Sequence, residues 1–460
     1  MEQATPTVRP RRGDELELTV DSLAFGGAGV ARLNGYVVFV ADAVPGDRVR
    51  AVVGKSKRAY AEARAVELLE PSPERVEPRA DHPGAPWQVL PYERQLEVKQ
   101  AQVADALDRI GHLRGYSLEP IIPAREVWRY RNKLEYSFGA DAGGRLICGF
   151  HAPGRWDEIV EVSDCLLASE PSNAARERVV GWCRAEGLTP YDRRTGEGLL
   201  RNLVVREART TGQLQVRLVV SRGALDSDGF AAAAQPCDGI LLTRIDGVAE
   251  VTQGGETELL TGVAQLEEQI GGMQMRISPE AFFQTNTEMA ELLYGQAIEY
   301  AQLNGTERAY DLYCGIGTIA MQLAPRVAEV WGLEIVEEAI ADAIANARLN
   351  EVTNARFFAG DVRLAMRELV ERAGRPNVVV IDPPRAGLSQ KVVRRIIEAG
   401  PQRLVYVSCN PTTLAPNAAQ LVEAGYELVR VRPVDMFPQT PHIECVAELV
   451  KSGASVNIPG

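Results

Sequence analysis

The spacing of hydrophobic positions changes character along the chain. From residue 14 to 69, "ELELTVDSL", "YVVFVADAV" and "RVRAVVG" alternate or run apolar, with glycines and Pro45-Gly46 between them. That pattern predicts short strands. They are too few and too short for a sandwich, so a small OB-like β-barrel is expected over 10–69. Residues 70–92 carry prolines at 71, 73, 78, 83, 86 and 91, a density that excludes regular structure and marks a junction. A helix is predicted over about 93–113, with Leu96, Val103, Leu107 and Ile110 on one face and charged residues on the other.

Residues 125–265 read as β-rich with helical insertions. "WRYRNKLEYSF" alternates, with "GRLICGFH" as its hairpin partner, and "LLRNLVVREAR" pairs with "GQLQVRLVVS". Arg129, Arg131 and Lys133 recur at period two and so are expected on one strand face. With Trp128, Tyr130 and Tyr136 nearby, that face suits RNA, where cations meet phosphates and rings stack on bases; an ordinary solvated face is the alternative. From about 270, strand cores at 309–313, 329–333, 378–381 and 404–408 alternate with amphipathic helical stretches. Such alternation implies a parallel, doubly wound sheet. The expected fold is multidomain α/β: a Rossmann-like C-terminal unit, a central β-rich α+β domain and the N-terminal barrel.

Bulk properties narrow the classes. A chain of 460 residues, 45% hydrophobic and 24% charged, suggests two to four globular domains. No apolar run reaches the length of a membrane span, and the first residues lack the apolar core of a signal peptide. Seven dispersed cysteines without a C-x-x-C pair read as reduced thiols in cytoplasm. The net charge of −12 excludes indiscriminate nucleic-acid binding but not a local basic surface. Such a surface is offered by 47–64, where Arg48, Arg50, Lys55, Lys57, Arg58 and Arg64 stand against only Asp47 and Glu62. It is either a phosphate-contacting or a solvated face.

Chemistry gathers at the strand ends. "RAYDLYCGIGTIAMQLA" (308–324) runs strand, Gly315-x-Gly317, helix, and glycines there let the backbone approach a ligand. Glu334 ends the next strand, where a carboxylate accepts hydrogen bonds from a ribose. A dinucleotide is one reading. S-adenosylmethionine is favoured, because Asp311 and Tyr313 place an acid and a ring by the loop, which suits a cationic ligand better than pyrophosphate. "NVVVIDPPRAGL" places Asp382 at another tip, and Asp361 in "FFAGDV" is expected to face the adenine. Arg385, where base-stacking amino-methylating enzymes carry an aromatic, disfavours adenine N-methylation.

"YVSCNPTTL" puts Cys409 on the same sheet edge, so its side chain is expected in a cleft. Beside a methyl donor, a thiolate can add to carbon 6 of a pyrimidine and make carbon 5 nucleophilic. A base must then remove the carbon-5 proton, and Glu444 in "PHIECVAEL" is the candidate.

"SPEAFFQTN", "DLYCGIGT", "DPPRAGL", "VSCNPTTLA" and "HIECV" together resemble the RNA uracil-5 methyltransferase family, over nearly the whole chain. The barrel resembles a TRAM domain, an RNA-binding module. The resemblance implies S-adenosylmethionine contacts at Gln284, Tyr313, Glu334 and Asp382, with Cys409 as nucleophile and Glu444 as base. It divides the chain into the barrel at 10–69, a central RNA-recognition domain at 70–92 and 114–268, and a methyltransferase domain at 93–113 and 269–451. Expected RNA contacts are Lys55, Lys57, Arg58, Arg131 and Lys133. The partner is RNA, ribosomal RNA favoured and tRNA second, and a cytoplasmic monomer is expected. Relatives often hold a [4Fe–4S] cluster on four cysteines. Here "RADHPGAPWQVLPYERQ" has none and only Cys165 corresponds to a ligand, so no iron–sulfur cluster and no metal is expected. The alternatives are an RNA cytosine-5 methyltransferase and a non-catalytic RNA-binding protein that keeps the fold.

Overall fold

The computed structural model describes residues 9–453. Five strands, β1 (Glu15–Leu23), β2 (Gly29–Leu33), β3 (Tyr36–Ala41), β4 (Arg48–Ser56) and β5 (Tyr60–Glu70), close into a barrel in the order β1-β2-β3-β5-β4. Alternate residues such as Val38, Val40, Val49, Ala51 and Val53 fill its interior, as period-two strands require.

The barrel corrects the reading of 47–64. The carboxylates that balance its cations come from neighbouring strands. Arg48 pairs with Glu17 at 2.8 Å and Glu70 at 2.6 Å, and Lys55 with Glu62 at 2.9 Å. Arg50 pairs with Glu67, and Arg64 with Asp42. Lys57 and Arg58 are exposed, with no acidic partner among the described residues.

The proline-rich stretch 71–91 forms neither helix nor strand. Helix α1 (Tyr92–Asp105) follows and ends in a π-helical turn, Ala106–Ile110. The wider turn breaks the 3.6-residue phase, and Ile110 is exposed rather than on the buried face. That face instead carries Gln95, Lys99 and Gln102 beside Val98 and Val103. Lys99 is fully buried and bonds Asp435 at 2.6 Å.

After the short β6 (Ser117–Leu118), the central region forms a seven-stranded sheet. Its strands are β7 (Lys133–Ala140), β8 (Leu146–His151), β9 (Ile159–Glu161), β10 (Leu200–Glu207), β11 (Leu214–Val220), β12 (Gly239–Arg244) and β13 (Glu256–Gly262). Their order is β13-β12-β11-β10-β7-β8-β9. Both predicted hairpins are present, β7 with β8 and β10 with β11, each antiparallel. Helices α2 (Glu170–Ala185) and α3 (Ser227–Ala234) cover one face.

The expected basic strand face is not there. The strand begins only at Lys133, and Arg129 lies in the left-handed region at φ 56°. Arg129 is paired with Asp164 at 2.8 Å, and Lys133, with little exposed side chain, is paired with Glu135 at 2.6 Å. Tyr130 and Tyr136 are buried in the core and offer no stacking surface.

A hairpin of β14 (Leu266–Ile270) and β15 (Met273–Ile277) leads into α4 (Thr287–Ala301). The last unit then alternates through β16 (Arg308–Leu312), α5 (Thr318–Leu323), β17 (Glu329–Glu334), α6 (Glu337–Leu349), β18 (Ala355–Ala359), α7 (Val362–Ala373), β19 (Val378–Ile381), α8 (Gln390–Ala399), β20 (Arg403–Ser408) and α9 (Pro411–Glu423). It closes with β21 (Tyr426–Val434) and β22 (Glu444–Lys451). The eight-stranded order is β18-β17-β16-β19-β20-β22-β21-β6. Helices α7, α8 and α9, with the end of α1, pack one face, and α4, α5 and α6 the other. Covering both faces explains why β19, "VVVI", is apolar and buried at every position. β22 runs antiparallel to β20, so its first residue lies at the edge where the parallel strands end.

Candidate active site

In a sheet of this kind the ligand crevice lies beyond the carboxyl ends of the strands. At β16, Tyr313 takes a left-handed conformation at φ 67° and Gly315 one at φ 52°. Gly317 is at φ 86°, and a Cβ there would meet Phe357 and Ala343 at 3.1–3.2 Å, so α5 can start against them only with glycine. Glu334 sits across the turn. One of its oxygens accepts from the Gly315 N–H at 3.2 Å, the other from Ile335 and Val336 at 2.8 and 3.0 Å.

Asp311 is fully buried. One oxygen accepts from the Ala320 N–H at 2.9 Å, and the other has no partner. Burial, with Asp382 and Glu334 nearby, pushes its carboxyl up to about 8. Desolvation likewise pushes Asp382, at the tip of β19, up to about 7, while a hydrogen bond from the buried Gln284 opposes the shift. Gln284 is itself held, because Asn132 donates to its carbonyl at 2.8 Å and to Thr287 at 2.8 Å.

Asp361 serves the chain before any ligand. It caps α7 through the Arg363 N–H at 2.8 Å and grips the Arg363 guanidinium at 2.9 Å, which holds its carboxyl below the usual range. Asp361 thus stands at the carboxyl end of β18, where the adenine contact is expected of it, with its carboxylate already bonded to Arg363.

Cys409 follows β20 and, among the seven cysteines, is the partly exposed one; the rest are buried. Asn410 fixes the turn. Its side chain accepts from Thr412 N–H at 3.0 Å, starting α9, and donates to the Arg385 carbonyl at 3.1 Å. The β20–β22 ladder ends where Ser408 pairs with Cys445, which brings Cys409, just past β20, and Glu444, the first residue of β22, to the same edge. Glu444 is buried, and its Oε2 has no hydrogen-bond partner. Burial, then Asp382, raises its proton affinity well above the usual range, and Arg385 opposes. Burial, Glu444 and Asp382 push the Cys409 thiol up to about 12, with Arg385 again opposing.

The loop that delivers Glu444 is anchored from α1. Gln95 and Gln439 exchange hydrogen bonds at 2.8 and 2.9 Å, and Lys99 grips Asp435.

Among the expected RNA contacts, Lys57 and Arg58 remain free, while Lys55 and Lys133 are paired. Arg131 lies over the Phe437 ring at 5.8 Å, and its Nε is buried without a partner. Sequence reasoning missed the Arg385–His442 contact at 3.0 Å and the support of Gln284 by Asn132. For His442 the available signal was its place two residues before Glu444.

Cys165 is buried next to His82, with His82 Nε2 at 3.2 Å from its sulfur. One thiol and one imidazole do not fit a cluster that needs four ligands, and no group of three metal-ligating side chains occurs among the described residues. Among the described residues no helix is long and apolar enough to cross a membrane.

A family model described as tRNA (uracil-5-)-methyltransferase matches residues 261–452, and a TRAM domain model matches 9–66. An uncharacterized RNA methyltransferase of Halalkalibacterium halodurans is 38% identical, over 95% of this chain and 97% of its own. One from Chlorobaculum tepidum is 37% identical over 96% and 97%. The crystal structure of Pyrococcus abyssi tRNA (uracil-54, C5)-methyltransferase in complex with S-adenosyl-L-homocysteine aligns with TM-score 0.77 and 28% identity, covering 94% of this chain and 99% of that one. Identity sustained over both full lengths, on a fold with this strand order, leads to one conclusion: the chain belongs to the RNA (uracil-5-)-methyltransferase family and carries that family's enzyme, with a TRAM domain at its barrel.

Proposed function

We propose that the protein methylates carbon 5 of a uridine in structured RNA through a covalent Cys409 adduct. The observation that carries this reading is the β20–β22 ladder that ends at Ser408 and Cys445 and so brings Cys409 and Glu444 to the edge holding Gly315, Glu334 and Asp382. S-adenosylmethionine, the proposed co-substrate, supplies an electrophilic methyl group when bound. Residues Gln284, Tyr313, Gly315, Glu334, Asp361 and Asp382 would hold it. Glu334 already accepts backbone N–H groups, so it is oriented for further donors. A rim of Asp311, Asp382 and Glu334 suits a cation, and a nearby cation would in turn lower the raised carboxyls of Asp311 and Asp382.

The thiol proton leaves through the exposed side of Cys409, and the thiolate bonds to carbon 6 of the uracil. The ring electrons move to the carbon 5–oxygen 4 enolate, and carbon 5 bonds to the methyl group as the methyl–sulfur bond of the co-substrate breaks, its electron pair staying on sulfur. Glu444, as carboxylate, removes the carbon-5 proton; the carbon 6–sulfur bond breaks and the thiolate is returned. Burial makes that carboxylate a stronger base than one in water. The target base must leave its stack to reach Cys409.

Ribosomal RNA is the substrate we favour, by analogy with barrel-carrying relatives. Transfer RNA is the second reading, favoured by the full-length likeness to a tRNA enzyme. Methyl transfer from labelled S-adenosylmethionine to separate ribosomal and transfer RNA pools, with nucleoside analysis, tests both. 5-Methyluridine in the ribosomal pool is the expected result. Label in tRNA alone overturns the substrate choice, and 5-methylcytidine or no label overturns the reading itself.

A further inference from the structure

Arg385 is exposed at the turn after β19, yet it is fixed at both ends. Its carbonyl accepts from Asn410, the residue after Cys409, at 3.1 Å. Its Nη2 lies 3.0 Å from Nδ1 of His442, two residues before Glu444. A guanidinium has only N–H groups, so His442 Nδ1 must be the acceptor and its proton sits on Nε2. His442 is fixed in turn: its N–H donates to Thr440 Oγ1 at 3.2 Å, and its ring meets Phe437 edge-on at 6.1 Å. One residue, through its backbone carbonyl at one end and its guanidinium at the other, thus ties the nucleophile's turn to the strand start that carries the base.

We propose that Arg385, aimed by His442, is a positioning residue that holds a fixed positive charge against the Cys409–Glu444 pair and makes the thiolate accessible. The proposal rests on Cys409 being the reactive thiol. The groups facing Cys409 are Glu444 and Cys445 on β22, Asp382 and Arg385 at the β19 tip, and Tyr406 on its own strand. Arg385 is the cation among them. Arg385, Arg131 and Lys99 face His442, and with burial they push its imidazole down to about 4. The ring therefore stays neutral near pH 7 and keeps Nδ1 available as acceptor. Protonating it would remove the acceptor and set two cations together.

The test reads Cys409 without RNA or methyl transfer. Full-length protein is alkylated with iodoacetamide between pH 7 and 10, and carboxamidomethyl-Cys409 is quantified by peptide mass. The thiolate displaces iodide and the thiol proton goes to buffer. A neighbouring cation favours the thiolate, so Arg385→Ala should slow alkylation at a fixed pH by about tenfold. Arg385→Lys should restore most of the rate. His442→Leu should slow it by a smaller factor, and His442→Asn, which keeps an acceptor near the Nδ1 position, should recover it. Equal rates for wild type and Arg385→Ala would overturn the proposal, as would Arg385→Lys behaving like Arg385→Ala. Failure of Cys409→Ala to abolish methyl transfer would instead sink the reaction proposed above, which separates the two failures.

Discussion

Two regions concentrate charge and treat it in opposite ways. On the barrel, Arg48, Arg50, Lys55 and Arg64 lie in water, each matched by a carboxylate across a strand. At the edge of the eight-stranded sheet, Asp311 and Glu444 are withdrawn from water, and each leaves an oxygen without a partner. Exposed pairs in high dielectric contribute little and are screened by salt. Unpaired buried carboxyls cost stability, and fold elements elsewhere must offset it. The comparison separates charge that keeps a surface soluble from charge held at raised proton affinity for chemistry.

The comparison is broken most directly at the edge. Cys409→Ala should bind RNA yet lose methyl transfer by a factor of about a thousand or more, since nucleophile and base act as a unit. For wild type, adduct formation should climb with pH, about tenfold per unit below the thiol's value near 12, until another step limits. A rate flat from pH 7 to 9 under single-turnover conditions would contradict the burial argument.

Next in size is Lys99→Ala. It strips the cation from buried Asp435, which keeps the Tyr92 hydroxyl at 2.9 Å on its other oxygen, and should cost about 3–5 kcal/mol in urea unfolding, if the chain unfolds in one step. Activity should fall as well, because the same contact anchors the loop leading to Glu444.

Asp311→Asn goes the other way. The folded protein holds this proton up to about pH 8, whereas the unfolded chain releases it near its usual value of 3.8. The native state therefore binds more protons, and the stability this group allows is present at low pH and lost as pH rises towards 8. Asparagine keeps an acceptor for Ala320 and cannot ionise. Its unfolding free energy should exceed that of wild type at pH 8 by about 1–3 kcal/mol, with a smaller difference at pH 5. Co-substrate affinity should drop if the carboxylate meets a cation.

The smallest effect belongs to the barrel. Lys55→Ala should change stability by under about 1 kcal/mol. Replacing Lys57 and Arg58, which have no acidic partner, should weaken RNA binding and flatten its salt dependence, because fewer counterions are released. Equal losses from Lys55 and Lys57 would erase the distinction between paired and free cations.

The legible parts of the molecule were those set by local periodicity. The apolar cores of β16, β17, β19 and β20, and both central hairpins, follow from runs of neighbouring residues. What escaped depends on distance. The partners of Arg48 lie 31 and 22 residues away, and those of Arg385 and His442 are 57 apart. A count of charges within 47–64 could not see them. Arg129 escaped because a positive φ in a polar run leaves no trace in hydrophobic spacing. Ile110 escaped because a π-helical turn shifts the phase on which the stripe was read. The positions of Cys409 and Glu444 were readable because both lie at ends of strands, and the strand order brings those ends to one edge.

The central claim is the shared task of Cys409 and Glu444, and a denaturing gel with labelled RNA tests it. Glu444→Gln should add to the base and methylate it, then stall before elimination, leaving a shifted protein–RNA band. Wild type should show the same band with 5-fluorouridine RNA, since fluorine does not leave as a proton does, and Cys409→Ala should show none with either RNA. A shifted band from Cys409→Ala, or no band from wild type on the fluorinated substrate, would contradict the account.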